Sequence, residues 1–139
     1  MRFLSIIAGV LAVANATPMH NATIPNDGTS PGFRVIPFSK IGCWEDKLNL
    51  GDVRIAKEKL IEWGREYPIP AGKWAGRHSH LAAVWICNCK HFYKDRVDAA
   101  EVNEAQALIR DYCGGPTASG WVWSRQWQKS WNFLSLGQW

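Results

Sequence analysis

Leu81-Ala82-Ala83-Val84-Trp85-Ile86-Cys87-Asn88-Cys89-Lys90-His91-Phe92-Tyr93 is the stretch on which the fold depends. It is rich in Val, Ile, Trp, Phe and Tyr, whose bulk near the backbone suits an extended chain. Read as a strand, one side carries Ala83, Trp85, Cys87, Cys89 and His91, and the other Val84, Ile86, Asn88, Lys90 and Phe92. Both sides begin apolar, which predicts a strand inside a sheet, not at its margin. Lys73-Trp74-Ala75 lies just upstream and is placed to pair with it as a hairpin partner.

Helical patterns flank this hairpin. Asn49 is a good N-cap, Val53, Ala56, Leu60 and Trp63 recur at helical spacing, and Gly64 ends the run, predicting a helix over 49–64. A second helix is expected over 98–113. Asp98 caps it, Glu101 stands at the reciprocal capping position, Val102, Ala105, Ile109 and Tyr112 form its stripe, and Gly114-Gly115-Pro116 stops it. Gly120 to Phe133 reads as one or two further strands, and Phe33 to Pro37 as a short edge strand. The fold class is therefore α+β, a small two-layer sandwich in which an antiparallel sheet carries two helices on one face, stapled by two disulfides.

Length and composition set the bounds. The chain has 139 residues, room for one domain, which excludes a multidomain enzyme, a membrane transporter or a coiled coil. An apolar share of 47% with 20% charged residues excludes wholesale disorder. The N-terminus reads as a secretory signal peptide over 1–16: Met1-Arg2, an apolar run from Phe3 to Val13, then Ala14-Asn15-Ala16 as the cleavage site. Residues 17–39 form a Pro/Thr-rich leader expected to be flexible, with an N-glycosylation sequon at Asn21, and 40–139 form a single domain. Cleavage removes Arg2, leaving 15 − 12 = +3 from the counts of 16 basic and 12 acidic residues. The expected product is secreted, extracellular and monomeric, with no transmembrane segment.

Cys43, Cys87, Cys89 and Cys113 form an even set in a small secreted chain, so two disulfides are expected. On one strand, i and i+2 side chains point the same way without converging, so a Cys87–Cys89 bond would strain the backbone. That predicts Cys43 bonded to one of the pair and Cys113 to the other, with Cys43–Cys87 and Cys89–Cys113 slightly favoured.

Trp85-Ile86-Cys87-Asn88-Cys89, a helix ending Tyr112-Cys113-Gly114-Gly115, and Gly120-Trp121-Val122-Trp123, behind a signal peptide and a Pro/Thr leader, resemble the small secreted cysteine-containing effectors of filamentous fungi. Several such families are similar to killer toxins in having a compact α/β sandwich. The resemblance covers about residues 40–135 and implies a non-enzymatic effector or toxin-like role, exerted by binding a host or competitor target, protein or polysaccharide.

The residues themselves offer several candidates. Lys73, Arg77, Lys90 and Lys94 lie in a stretch from Tyr67 to Lys94 without Asp or Glu, a candidate surface for an anionic partner. Trp121, Trp123, Arg125, Trp127, Lys129, Trp131 and Phe133 fall on alternate positions, so one continuous strand would present them all on one side. Trp127 and Trp131 then either pack into the core or stay partly exposed as a stacking platform for sugars or an apolar partner. His78, His80 and His91 are weak candidates for a copper or zinc site across the hairpin. His80 or His91 with Glu66 and Arg77 gives a paper version of a secreted nuclease, so a small hydrolase is the alternative to a binding protein. There is no Ser-His-Asp elbow, Gly-rich phosphate loop or H-E-x-x-H helix, and nothing calls for a cofactor or a resident metal.

Overall fold

The computed structural model describes residues 35–137. The expected signal peptide, the expected glycosylation site at Asn21 and residues 33–34 lie outside them. The order is β1 (Lys40–Lys47), α1 (Leu50–Glu66), β2 (Lys73–Ser79), β3 (Ala82–Asn88), α2 (Ala99–Tyr112), β4 (Ala118–Ser124) and β5 (Lys129–Ser135). The strands form one sheet in the order β1-β4-β5-β3-β2, with every neighbouring pair antiparallel. β3 is an interior strand paired with both β2 and β5.

Both helices start where their capping residues stand. The Asn49 side chain accepts the Asp52 amide, and the Asp98 carboxylate accepts those of Ala100 and Glu101. Each cap satisfies donors that the first helical turn leaves without partners. α1 packs over β2 and β3, and α2 over β4 and β1. Side-chain contacts place both on the same face of the sheet: the Ser79 hydroxyl of β2 donates to Asp52 of α1 at 3.0 Å, and Lys129 of β5 reaches Glu101 of α2 at 2.6 Å.

The core is a row crossing all five strands. Ile41, Val122, Trp131, Ile86 and Ala75 are successive register partners, and all are buried beneath the helices. Val53, Ala56 and Leu60 of α1 and Val102, Ala105 and Ile109 of α2 close over them.

Three expectations are corrected here. The first concerns the leader. Residues 35–37 form no strand, and the packed chain begins before Lys40, because Ile36 is 1% exposed and the Val35 and Ile36 amides both donate to Glu104 Oε2. The edge strand is instead β1. The second concerns the aromatic run. The chain turns over 125–128, where Gln128 takes a φ of +49°, so β4 and β5 are separate strands. Ser124 pairs with Lys129, five positions on, so the alternation changes parity across the turn. Lys129, Trp131 and Phe133 therefore face the helices while Trp121 and Trp123 face away.

The third concerns the cysteines. The disulfide is Cys43–Cys113, with Cα atoms 5.5 Å apart, and not a bond from either to the C-x-C pair. Cys43 lies on the helix-facing side of β1, opposite Gly120, and Cys113 is the C-cap of α2, which packs over that strand. Cys87 and Cys89 are thiols with their sulfurs 3.2 Å apart. β3 ends at Asn88, so Cys89 is outside the strand and the rule that i and i+2 side chains do not converge does not apply to it.

Candidate binding face

The face of the sheet turned away from the helices has no layer of described residues over it, yet it is built from tryptophan. Its central row reads Gly42, Trp121, Asn132, Trp85 and Gly76, again successive register partners across all five strands. The next row reads Lys40, Trp123, Ser130, Cys87 and Trp74. Trp44 joins them from the end of β1, stacking on Trp85 with ring centroids 6.0 Å apart and planes within 19°. Five of the nine tryptophans thus share one face. Trp74 is the most open, at 70% exposure.

The two glycines of the central row explain how the rings lie. A Cβ on Gly42 would fall inside the Trp121 indole, so that ring rests on the bare backbone of the neighbouring strand. A Cβ on Gly76 would come within 2.7 Å of the Trp85 Cβ and 3.5 Å of the Trp74 ring. Glycine at these edge positions lets the large rings settle against the sheet. Between them the Asn132 amide donates to Ser130 Oγ at 3.1 Å and to the Trp85 carbonyl at 3.4 Å, placing polar groups in the middle of an aromatic surface.

At the β2 side the face opens into a groove of about 480 Å³, walled by Trp74, Trp85, His78, Ala83, Leu134 and Leu136. Its size is that of a ligand site, and its walls are largely apolar, with Arg77 and His78 the polar side chains among the residues that line it. The two rows and the groove bring together Lys40, Cys87, Arg77 and His78, and no carboxylate stands among those residues.

The residues singled out in the sequence are distributed otherwise. Trp131 is fully buried in the core and Trp127 packs against it, with ring centroids 6.2 Å apart, so the two form no exposed platform. Arg77 lies 4.9 Å over the Trp63 ring on the helix side, and Lys90 pairs with Asp95 at 2.8 Å, while Lys73 and Lys94 are exposed. His78 stands in the groove, His80 in the β2–β3 turn, and His91 beyond the other end of β3. Since β3 spans seven residues, His80 and His91 are roughly 20 Å apart along it. Among the described residues no three His, Cys, Asp or Glu side chains cluster as metal ligands.

A second, smaller cavity of about 200 Å³ is bordered by Lys90, Asp95, Glu101, Trp127 and Lys129. Lys129 is 1% exposed, and its ammonium donates to Glu101 Oε2 at 2.6 Å, the Arg96 carbonyl at 2.8 Å and Asp95 Oδ1 at 3.3 Å. Burial pushes the Glu101 carboxyl above its usual range, outweighing the Lys129 bond. Burial acts on Asp95 in the same direction, but the bonds and charges of Lys90 and Lys129 and the Arg96 amide prevail and hold it below the usual range. Each proton of the ammonium has an acceptor, so the cluster works as a clasp joining the start of α2 to β5.

The tryptophan face escaped the sequence because it depends on parity. Trp85 alternates with Val84 and Ile86, and Trp121 and Trp123 with Val122, so the signal was present on each strand. Only the register sums them into one surface. No family model, curated protein or solved structure matches this chain. No helix among the described residues is long and apolar enough to cross a membrane.

Proposed function

We propose that this chain is a secreted, effector-like or toxin-like binding protein that takes a neutral polysaccharide on the helix-free face of its sheet. The observation that carries the reading is the row Gly42-Trp121-Asn132-Trp85-Gly76, extended by Trp44, Trp74 and Trp123. Pyranose rings have flat faces of C–H groups that stack on indole, and rims of hydroxyls that need donors and acceptors. Tryptophan supplies the first, and Asn132, Ser130 and His78 the second. Trp121 and Trp85 flank Asn132 at two strand spacings, roughly 9.5 Å, which suits every second ring of an extended chain laid across the strands, with Asn132 beneath the ring between. The central row holds no ionisable side chain, which favours a neutral glycan over an anionic one. Trp74, at the rim of the groove, is 70% exposed, so a ring face can stack on it while hydroxyls stay in water.

The test is binding of the full secreted chain to a panel of neutral and charged polysaccharides, read by calorimetry. Trp74→Ala is expected to weaken binding at least tenfold, with the melting temperature nearly unchanged because Trp74 is so exposed. Lys94→Ala, away from the face, should leave affinity intact. Absence of binding to every neutral glycan would overturn the reading, as would an affinity that Trp74→Ala does not change. Capture of a protein through the same tryptophans, with no glycan bound, would replace the polysaccharide by a protein partner.

A further inference from the structure

We infer that Cys87 and Cys89 are the site of a second, local disulfide, formed across the single residue Asn88. Each of the chain's other two cysteines has the other as its partner, so this pair has no further cysteine in the chain to join. The sulfurs are 3.2 Å apart, and closing the bond to about 2.05 Å needs a movement of only about an ångström.

Asn88 prearranges the pair. It is wholly buried, and its side-chain amide donates to the carbonyls of Ile69, Pro70 and Tyr93, while its Oδ1 accepts the Lys90 amide. The Cys89 amide donates to the Gln128 carbonyl, which fixes the position after it. The residue between the thiols and the backbone on both sides of them are thus held by hydrogen bonds. The ordering that bond formation requires is largely in place in the dithiol, as it is for any preorganised reactive pair.

The closure is a thiol–disulfide exchange with a small-molecule or protein disulfide as oxidant. One thiolate attacks a sulfur of the oxidant, forming a mixed disulfide and releasing one oxidant thiolate. The second cysteine then attacks its neighbour, forming the Cys87–Cys89 bond and releasing the other. Two cysteine thiols lose two electrons and two protons, and the oxidant becomes two thiols. Burial, together with the neighbouring Cys87 thiol, holds Cys89 up at about 11, so its thiolate is scarce at neutral pH and closure accelerates as pH rises. The cross-link lies at the margin of the tryptophan face, since Cys87 is the register partner of Trp74.

The experiment is peptide mapping of the full secreted chain without reductant. Trypsin leaves both cysteines in one peptide, 78–90, bounded by Arg77 and Lys90. That peptide is expected to be lighter than its dithiol by two hydrogen atoms, to resist maleimide, and to be linked to nothing else. In a second arm the pair is reduced, then treated with glutathione disulfide. Both thiols should disappear with no glutathione retained, faster at pH 9 than at pH 7. The inference is overturned by a 78–90 peptide that takes up two maleimides before reduction. It is equally overturned by the peptide joined to those carrying Cys43 or Cys113, by a link to a second copy of itself, or by a stable glutathione adduct.

Discussion

The Lys129 side chain is 1% exposed, and its Nζ is held by Asp95, Glu101 and one backbone carbonyl. Removing Lys129 leaves Asp95 with Lys90 but strips the half-buried Glu101 carboxylate of its cation. Lys129→Met should therefore cost about 3–5 kcal/mol at neutral pH, measured by denaturant unfolding. The sign of the pH dependence follows from the two carboxyls. Glu101 titrates above its usual range, so its contribution to stability is complete at low pH and is lost as pH rises through that raised value. Asp95 titrates below its range, so its contribution is present at neutral pH and is lost as pH falls through the depressed value. Without Lys129 the Glu101 carboxyl rises further, so the deficit of the variant should shrink as the solution is acidified and that group takes up a proton. A deficit that stays constant from pH 7 to pH 5 would place the loss in packing against Trp131, whose ring lies 5.3 Å from the ammonium.

At the level of elements, α1 is held by the stripe that its sequence displays. Leu60 is fully buried between α1 and the sheet, and Leu60→Ala should cost about 2–5 kcal/mol in a guanidinium titration. β1 and β4 are joined differently, by close backbone approach. A Cβ on Gly120 would land on the carbonyl oxygen of Gly42, which cannot swing aside as a side chain can. Gly120→Ala should cost about 1–3 kcal/mol, visible as a lower melting temperature. The helices were legible because caps and stripes are local signals. Asn49 and Asp98 mark their starts in sequence and in space alike. β1 was not legible: Lys-Ile-Gly-Cys-Trp-Glu-Asp-Lys has one buried aliphatic side chain, at Ile41, and its second half is charged and bulged against β4. The β4–β5 turn was hidden for a similar reason. Arg125-Gln126-Trp127-Gln128 contains no Gly, Pro, Asn or Asp, the residues that announce a turn. Missing that turn put Trp127 and Trp131 on the same face as Trp121 and Trp123, and missing β1 left Cys43 without a position. The candidate site was therefore sought in the right residue type and at the wrong tryptophans.

On the scale of the whole molecule, Cys43–Cys113 ties the end of α2 to the first strand across a sequence separation of 70. By chain entropy, a loop of that length stabilises the fold by about 4 kcal/mol. The double substitution Cys43→Ala with Cys113→Ala should lower the denaturant midpoint accordingly, with the two helices still formed by circular dichroism. The tryptophan face has an optical consequence as well. Indole fluoresces at longer wavelength in water than in an apolar interior, so Trp74, at 70% exposure, and Trp131, at 0%, emit at opposite ends of the protein's spectrum. Aqueous iodide reaches the first and not the second. The stacked Trp44–Trp85 pair brings two transition dipoles within 6.0 Å, close enough to exchange excitation and to split their absorption into a signed couplet in circular dichroism. A ligand laid over these rings would shift the red edge of the emission, shield it from iodide and alter the couplet, without a label of any kind.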